Sequence, residues 1–207
     1  RYGRPMATPA LAPRNPTEDA ILGAARAALE EERYRDVTID GIAKRAFVSR
    51  TTVYFYFPNK RAVVDRLIQQ VFSEIYEAAS PYLDGTGDPR AELRAALTRT
   101  VGTVNREEVV LKLAFTLHGG QDHLPAEWAP YVQRLVAAAA ERIARDQERG
   151  LAAPDIPADL AAQALTAMVE RHVTIEILQS GRTGADSIRI LSELWWRAVY
   201  SKAVGGA

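Results

Sequence analysis

The sequence predicts an all-α fold of about nine helices, and three observations predict it. From Thr17 onward apolar residues recur at helical spacing almost without a gap. No stretch alternates apolar and polar residues between turn signals in the manner of a strand. The breaks between periodic runs carry the Gly, Pro and small polar residues that stop one helix and start the next.

The first sixteen residues hold prolines at 5, 9, 13 and 16 and offer no apolar face, so 1–16 is expected to be a disordered arm. Gly3-Arg4-Pro5 matches the middle of a minor-groove AT-hook core, but Tyr2 stands where that core has Arg. Thr17, with Glu18 and Asp19 in its first turn, starts a helix through Ile21, Leu22, Ala25, Ala28 and Leu29 that ends near Arg33. Thr38 is expected to cap a short helix carrying Ile39, Ile42 and Ala43, and Ser49 to cap another that reaches about Phe55. Pro58-Asn59 breaks the chain before a longer helix from Lys60 to about Ala79. Pro81 and the run from Asp84 to Pro89 mark a loop. Five further helices are expected at roughly 90–104, 107–117, 125–149, 157–180 and 185–203, separated by Gly119-Gly120, Gly150 to Pro157 and Gly181 to Gly184. The loop at 81–89 does not divide independent halves, because three short helices are too few to bury a core by themselves. The expected organisation is the arm at 1–16, a helix-turn-helix unit at 17–63 and a helical body at 64–207.

Composition narrows the function. Lys and Arg number 26 and Asp and Glu 26, so any affinity for nucleic acid must come from a local concentration of charge. There is no Cys, which excludes a disulfide scaffold and a thiolate metal site. No apolar run approaches the roughly 18–20 residues that span a bilayer, and the N-terminus lacks an apolar signal core. The expectation is a soluble cytoplasmic protein without a membrane partner.

The charge is concentrated at residues 44–61, which carry five cations (44, 45, 50, 60 and 61), no acid, and hydroxyl side chains at 49, 51 and 52. That is the footprint of a phosphate-contacting surface. Two short helices joined by a brief turn, the second polar at its start and aromatic at its end, form a helix-turn-helix, whose second helix enters the major groove. A solvated basic face on a helical bundle would explain the charge alone. It does not explain the two caps, the Tyr-Phe-Tyr-Phe run at 54–57 and the Lys that follows Pro58-Asn59.

The segments 37–43 and 48–60 together resemble the DNA-binding domain of TetR-family transcriptional repressors, and the helix count and length extend the likeness to the whole chain. Tyr54 to Lys60, Glu170-Arg171, Leu194-Trp195 and Tyr200 resemble the mycobacterial ethionamide-type branch of that family. The resemblance implies a repressor that binds a palindromic double-stranded DNA operator as a homodimer. Thr38 is then expected to meet a phosphate at its helix start. Arg50, Thr51 and Thr52 are expected to face the groove, with Arg50 bidentate to guanine, and Lys44 and Ser49 to belong to the same DNA surface. Tyr54, Tyr56 and Lys60 would clamp the backbone, while Val53 and Phe57 seal the small core. Two positions depart from the family pattern. Phe47 stands where relatives have Gly in the turn, so either the turn is altered or the ring is held by packing. Phe55 replaces a position often polar, and core is the favoured reading over a thymine-methyl contact.

The same resemblance implies a hydrophobic small-molecule effector enclosed by the body. Leu93, Leu97, Val101, Phe115 and Trp128 are expected around it, with Val132, Leu135, Val169 and Trp195. Thr166 and Glu170 would be the polar anchors. Thr166 and Val169 stand where the ethionamide-type repressor has amides, so the ligand preference should differ. On the last helix Ile188, Leu191, Trp195 and Ala198 form one stripe, and Ile190, Leu194 and Arg197 begin a second. A helix apolar on two sides needs two partners, so the last two helices are expected to pair with their copies in a second subunit.

Catalysis has little support. There is no Gly-rich phosphate loop, no Gly-x-Ser-x-Gly and no Cys nucleophile, so no enzyme activity and no cofactor are expected. His118, Asp122 and His123 imitate a metal site, but the glycines between them predict a loop tip. His172 reads as a core or interface histidine. The competing class is a small helical enzyme or a protein-interaction bundle with a basic surface.

Overall fold

The computed structural model describes residues 15–117, 128–181 and 183–201. Residues 1–14 of the expected arm, Gly119-Gly120, the group His118, Asp122 and His123, and the last helix beyond Ser201 lie outside the described residues. Among the described residues there are nine α-helices and no strand: α1 (Pro16–Glu31), α2 (Ile39–Arg45), α3 (Arg50–Tyr56), α4 (Lys60–Leu83), α5 (Pro89–Arg106), α6 (Glu108–Leu117), α7 (Ala129–Glu148), α8 (Ala158–Ser180) and α9 (Ala185–Val199).

Local chemistry accounts for the starts and stops. α1 begins one residue before Thr17, because the Asn15 carboxamide accepts from the Thr17 N–H at 2.9 Å and Pro16 occupies the first turn, where its missing N–H is no loss. Thr38 and Ser49 cap α2 and α3 by accepting from Gly41 N at 3.0 Å and Thr52 N at 2.9 Å. Asn59 does the same for α4, accepting from Ala62 N at 2.9 Å. α5 and α6 are separated by Glu107 alone, a break without Gly or Pro. α8 ends on Gly181, whose φ of +79° suits a residue without Cβ.

One expected stop is overturned. Pro81 lies inside α4, which continues to Leu83. The ring removes one N–H near the end of the helix, but Tyr82 and Leu83 are buried and their carbonyls find donors on α7. Arg142 Nη1 lies 2.7 Å from Tyr82 O, and Arg145 Nη2 donates to Leu83 O at 2.7 Å. Those side chains supply what the helix end would otherwise lack.

α4 is the spine. It packs along α5 and α7, and it also touches α1 and α6; α7 packs on α8, and α9 on α5 and α8. A single cluster of buried apolar side chains runs from Ile21 through Val53, Phe57, Leu67 and Val101 to Tyr200, so the helix-turn-helix unit and the body share one core. On α9 the buried stripe is Ser187, Leu191, Trp195 and Val199. Ala198, expected in that stripe, is exposed beside Ile190 and Leu194, one turn-offset away from the core face.

Candidate nucleic-acid interface and ligand cavity

The helix-turn-helix keeps its turn with Phe47 in it. Phe47 has φ +54° and is 96% exposed, so the turn is unaltered in hand and the ring is not held by packing. Phe55 is 81% exposed, which overturns the expectation of core. The reason is helical phase: Val53 faces inward on a seven-residue helix, and position 55 then points about 200° away from it. Val53 and Phe57 are buried as expected.

Thr38, Lys44, Ser49, Arg50, Thr51 and Tyr54 are exposed, and Thr52 and Tyr56 are half-buried. The Ser49 and Thr52 hydroxyls are bonded to one another at 2.7 Å. Tyr56 meets Phe55 edge to face, with ring centres 5.2 Å apart. Lys60 is turned inward: its Nζ donates to Tyr34 O and Val37 O at 2.7 Å, reaches Arg35 O at 3.5 Å and lies 4.3 Å from the centre of the Tyr34 ring.

The other cations of the 44–61 run are also compensated to different degrees. Arg45 binds Glu31 at 2.6 Å and Glu32 at 3.0 Å, and the hydrogen bond it gives holds the Glu31 carboxyl below its ordinary range. Arg61 pairs with Asp65 at 2.8 Å. Arg50 Nη2 donates to Tyr54 Oη at 3.3 Å and its Nε lies 3.5 Å from Asp40 Oδ1. The hydrogen bond to Tyr54, followed by the charge of Asp40, raises the Arg50 pKa above its ordinary value.

From the middle of α4 onward the body forms apolar pockets. One cavity of about 120 Å³ is lined by Phe115, Val132, Leu135, Thr166, Val169 and Glu170, all expected, and by Phe72, Ile75 and Thr174 among others. A second, of about 80 Å³, lies against Leu93, Leu97 and Trp195 and shares Ile75, Thr100, Leu135, Thr166 and Val169 with the first. Val101 and Trp128 line neither cavity. Both are buried, and Trp128 packs on Phe72 with ring centres 5.5 Å apart, which makes it part of the wall's support. The α4 wall was not anticipated from the sequence, although the apolar residues at 64, 68, 72, 75, 79 and 83 are spaced along one face of that helix. Inside, the Thr174 hydroxyl donates to Glu170 Oε1 at 3.0 Å. His172 sits half-exposed on the seam of α8 and α9, its Nε2 2.9 Å from Ser187 Oγ. No group of three or more metal-ligating side chains occurs among the described residues, and no described helix is long and apolar enough to cross a membrane.

A helix-turn-helix sharing a core with a helical body that forms apolar pockets defines a class, the helix-turn-helix transcriptional regulators. The description "Bacterial regulatory proteins, tetR family" matches residues 21–67, and "Transcriptional regulator EthR, C-terminal domain" matches residues 93–201. The chain belongs to the TetR family of transcriptional regulators, with a body of the EthR type, and is not an enzyme. The HTH-type transcriptional regulator EthR of Mycolicibacterium smegmatis is 28% identical over 189 residues, covering 88% of this chain and 86% of that protein. EthR of Mycobacterium tuberculosis is also 28% identical over 189 residues, with 89% and 88% covered. Among solved structures, a TetR-family regulator from Mesorhizobium loti superposes with a TM-score of 0.70 at 22% identity, covering 89% of this chain and 96% of that one. The fatty acid degradation regulator FadR of Bacillus halodurans gives 0.68 at 18% identity, with 89% and 96% covered. These two likenesses are of fold.

Proposed function

We propose that the chain is a ligand-responsive repressor that works in the bacterial cytoplasm, binds an inverted-repeat DNA operator as a homodimer and is released by an apolar small molecule. The observation that carries this reading is the position of α4. Its first turn is fastened to the helix-turn-helix through Lys60, and its middle turns supply Phe72 and Ile75 to the cavity wall. A ligand pressing on that wall displaces the helix that seats the DNA-binding unit. It shifts DNA affinity only as far as it prefers one position of that unit over the other.

Thr38, Lys44, Arg50 and Thr51 form the exposed DNA face, with Ser49 and Thr52 fixing the start of α3 and Tyr54 and Tyr56 beside the backbone. Exposed Leu160 on α8 and Ile190 and Leu194 on α9 support pairing of these helices across a two-fold axis. The two cavities together suit an apolar ligand with at most one or two polar groups, placed at Thr166 and Glu170; a dry site of roughly 150 Å³ already accepts a benzene-sized group.

Mobility-shift titration against duplexes selected by the chain itself tests the reading, at two salt concentrations. Salt-sensitive binding to an inverted repeat by a dimer is expected, and Leu194→Glu is expected to sediment as a monomer that binds weakly. Any compound found by thermal shift is expected to bind less tightly in the presence of operator, by the factor by which it weakens operator binding. Thr166→Trp is expected to block it. Tight binding of a monomer to a half-site overturns the dimer, and hits that leave operator affinity unchanged overturn the effector role.

A further inference from the structure

We infer that Asp40 is a positioning residue for sequence readout: its carboxylate and the Tyr54 hydroxyl together hold the Arg50 guanidinium in one pose toward the groove. The inference rests on the DNA-binding reading and adds a residue to it. Arg50 is bracketed from two helices, its Nε 3.5 Å from Asp40 Oδ1 on α2 and its Nη2 3.3 Å from Tyr54 Oη on α3. The guanidinium carbon lies 5.4 Å from the centre of the Tyr54 ring, which limits its tilt. Nη1 makes no bond among the described residues, so its N–H groups and the second N–H of Nη2 remain available as donors.

Asp40 in the first turn of α2 complements that helix's dipole, but this does not call for its contact with Arg50. The Arg50 and Asp40 side chains are 60% and 56% exposed, and ion pairs in that setting contribute little to stability. Binding to phosphate does not explain it either, because an acid on this face repels the DNA backbone and weakens attachment to every sequence alike. A role in base readout explains both. Two parallel hydrogen bonds to guanine O6 and N7 require the guanidinium plane in a set orientation. A free arginine loses rotamer freedom when it takes up that orientation, and one already bracketed loses less. Partial neutralisation by Asp40 also makes a phosphate a poorer competitor for Arg50, which leaves the side chain to the base.

The test uses the full chain and the duplex it enriches from a random-sequence library, compared with a scrambled duplex of the same composition. Asp40→Ala is expected to lose preference at one guanine per half-site by about tenfold, the lower end of what one bidentate contact discriminates, while its affinity for the scrambled duplex rises. Asp40→Asn, which removes the charge and keeps an acceptor, is expected to gain the same non-specific affinity and to retain most of the preference. Tyr54→Phe is expected to weaken the preference without the non-specific gain. A merely structural role would lower the melting temperature and weaken both duplexes together. That result overturns the proposal, as does an Asp40→Ala protein with unchanged sequence preference. If the unaltered chain enriches no sequence at all, the DNA-binding reading falls and takes this proposal with it.

Discussion

Phe47 holds a left-handed backbone, φ +54°, and its ring, 96% exposed, makes no packing that offsets the cost. For an L-residue the left-handed region costs about 1–2 kcal/mol, and the extra backbone entropy that Gly loses on folding offsets only part of that. Phe47→Gly is therefore expected to stabilise the chain by about 1 kcal/mol, read as a higher urea midpoint; an unchanged or lower midpoint would mean that the ring supports the turn. The exposure of a residue likewise decides what its loss does. Phe55→Ala should change stability by no more than about 0.5 kcal/mol, whereas Phe57→Ala, buried two residues later, should destabilise by about 3–5 kcal/mol. Equal effects in thermal denaturation would show that Phe55 is packed after all. Lys60 carries a similar lesson. Because Tyr34, Arg35 and Val37 carbonyls hold its ammonium, Lys60→Met is expected to lower the melting temperature and leave the salt dependence of DNA binding unchanged. A slope reduced by about one phosphate contact, with stability intact, would restore Lys60 to the DNA face.

At the scale of elements, the end of α4 depends on α7. Arg142 is fully buried, and its Nη1 lies 2.7 Å from Tyr82 O, Gly85 O and Glu92 Oε2, while its Nε donates to Asp146 Oδ2 at 2.7 Å. Burial opposes its charge, but the bonds to Asp146 and Glu92 outweigh that and the guanidinium stays ionised. Gly85 permits the approach, since a Cβ there would collide with the Glu92 carboxylate and Pro81 O. This one side chain thus stabilises a helix end that contains a proline, a loop and the start of α5. Arg142→Met is expected to destabilise by about 3 kcal/mol, because the Tyr82 and Gly85 carbonyls and the Glu92 carboxylate lose a donor and buried Asp146 keeps only Arg149 and Tyr200. Amide exchange should accelerate first around Leu83 and Asp84. Exchange that stays slow there while the rest of the chain loosens would place the Arg142 contribution elsewhere.

The whole molecule should respond to alkaline pH through two tyrosines in the same buried region. Burial pushes Tyr82 up to about 12, and it pushes Tyr200 up as well; the two hydroxyls lie 2.9 Å apart, and Tyr200 donates to Asp146. Below the ordinary tyrosine pKa of 10.0 both folded and unfolded chains hold these protons, and stability is unaffected. Above it the unfolded chain releases them while the folded chain retains them, so stability falls as pH rises, by about 1.4 kcal/mol per pH unit for each tyrosine. Tyr82→Phe is expected to flatten that fall by one proton. Denaturation midpoints measured on either side of pH 10 check it, and identical pH slopes for the two proteins would contradict it.

The buried Val53 and Phe57 and part of the cavity wall on α5 to α9 were legible through the family resemblance; by itself the sequence determined the helical architecture and the two caps of the helix-turn-helix. These depend on local periodicity, capping and spacing, which act within a few residues. The charge of the 44–61 run was equally legible, but its disposition was not. Arg45, though exposed, is bound by Glu31 and Glu32, Lys60 by carbonyls at 34, 35 and 37, Arg61 by Asp65, and Arg50 is bracketed by Asp40 and Tyr54, so most of the charge of the run is compensated within the fold. The continuation of α4 through Pro81 was settled by donors about sixty residues away on α7. In each case the deciding partner is distant in the chain, and a charge or a carbonyl is satisfied by whatever folding brings within about 3 Å of it.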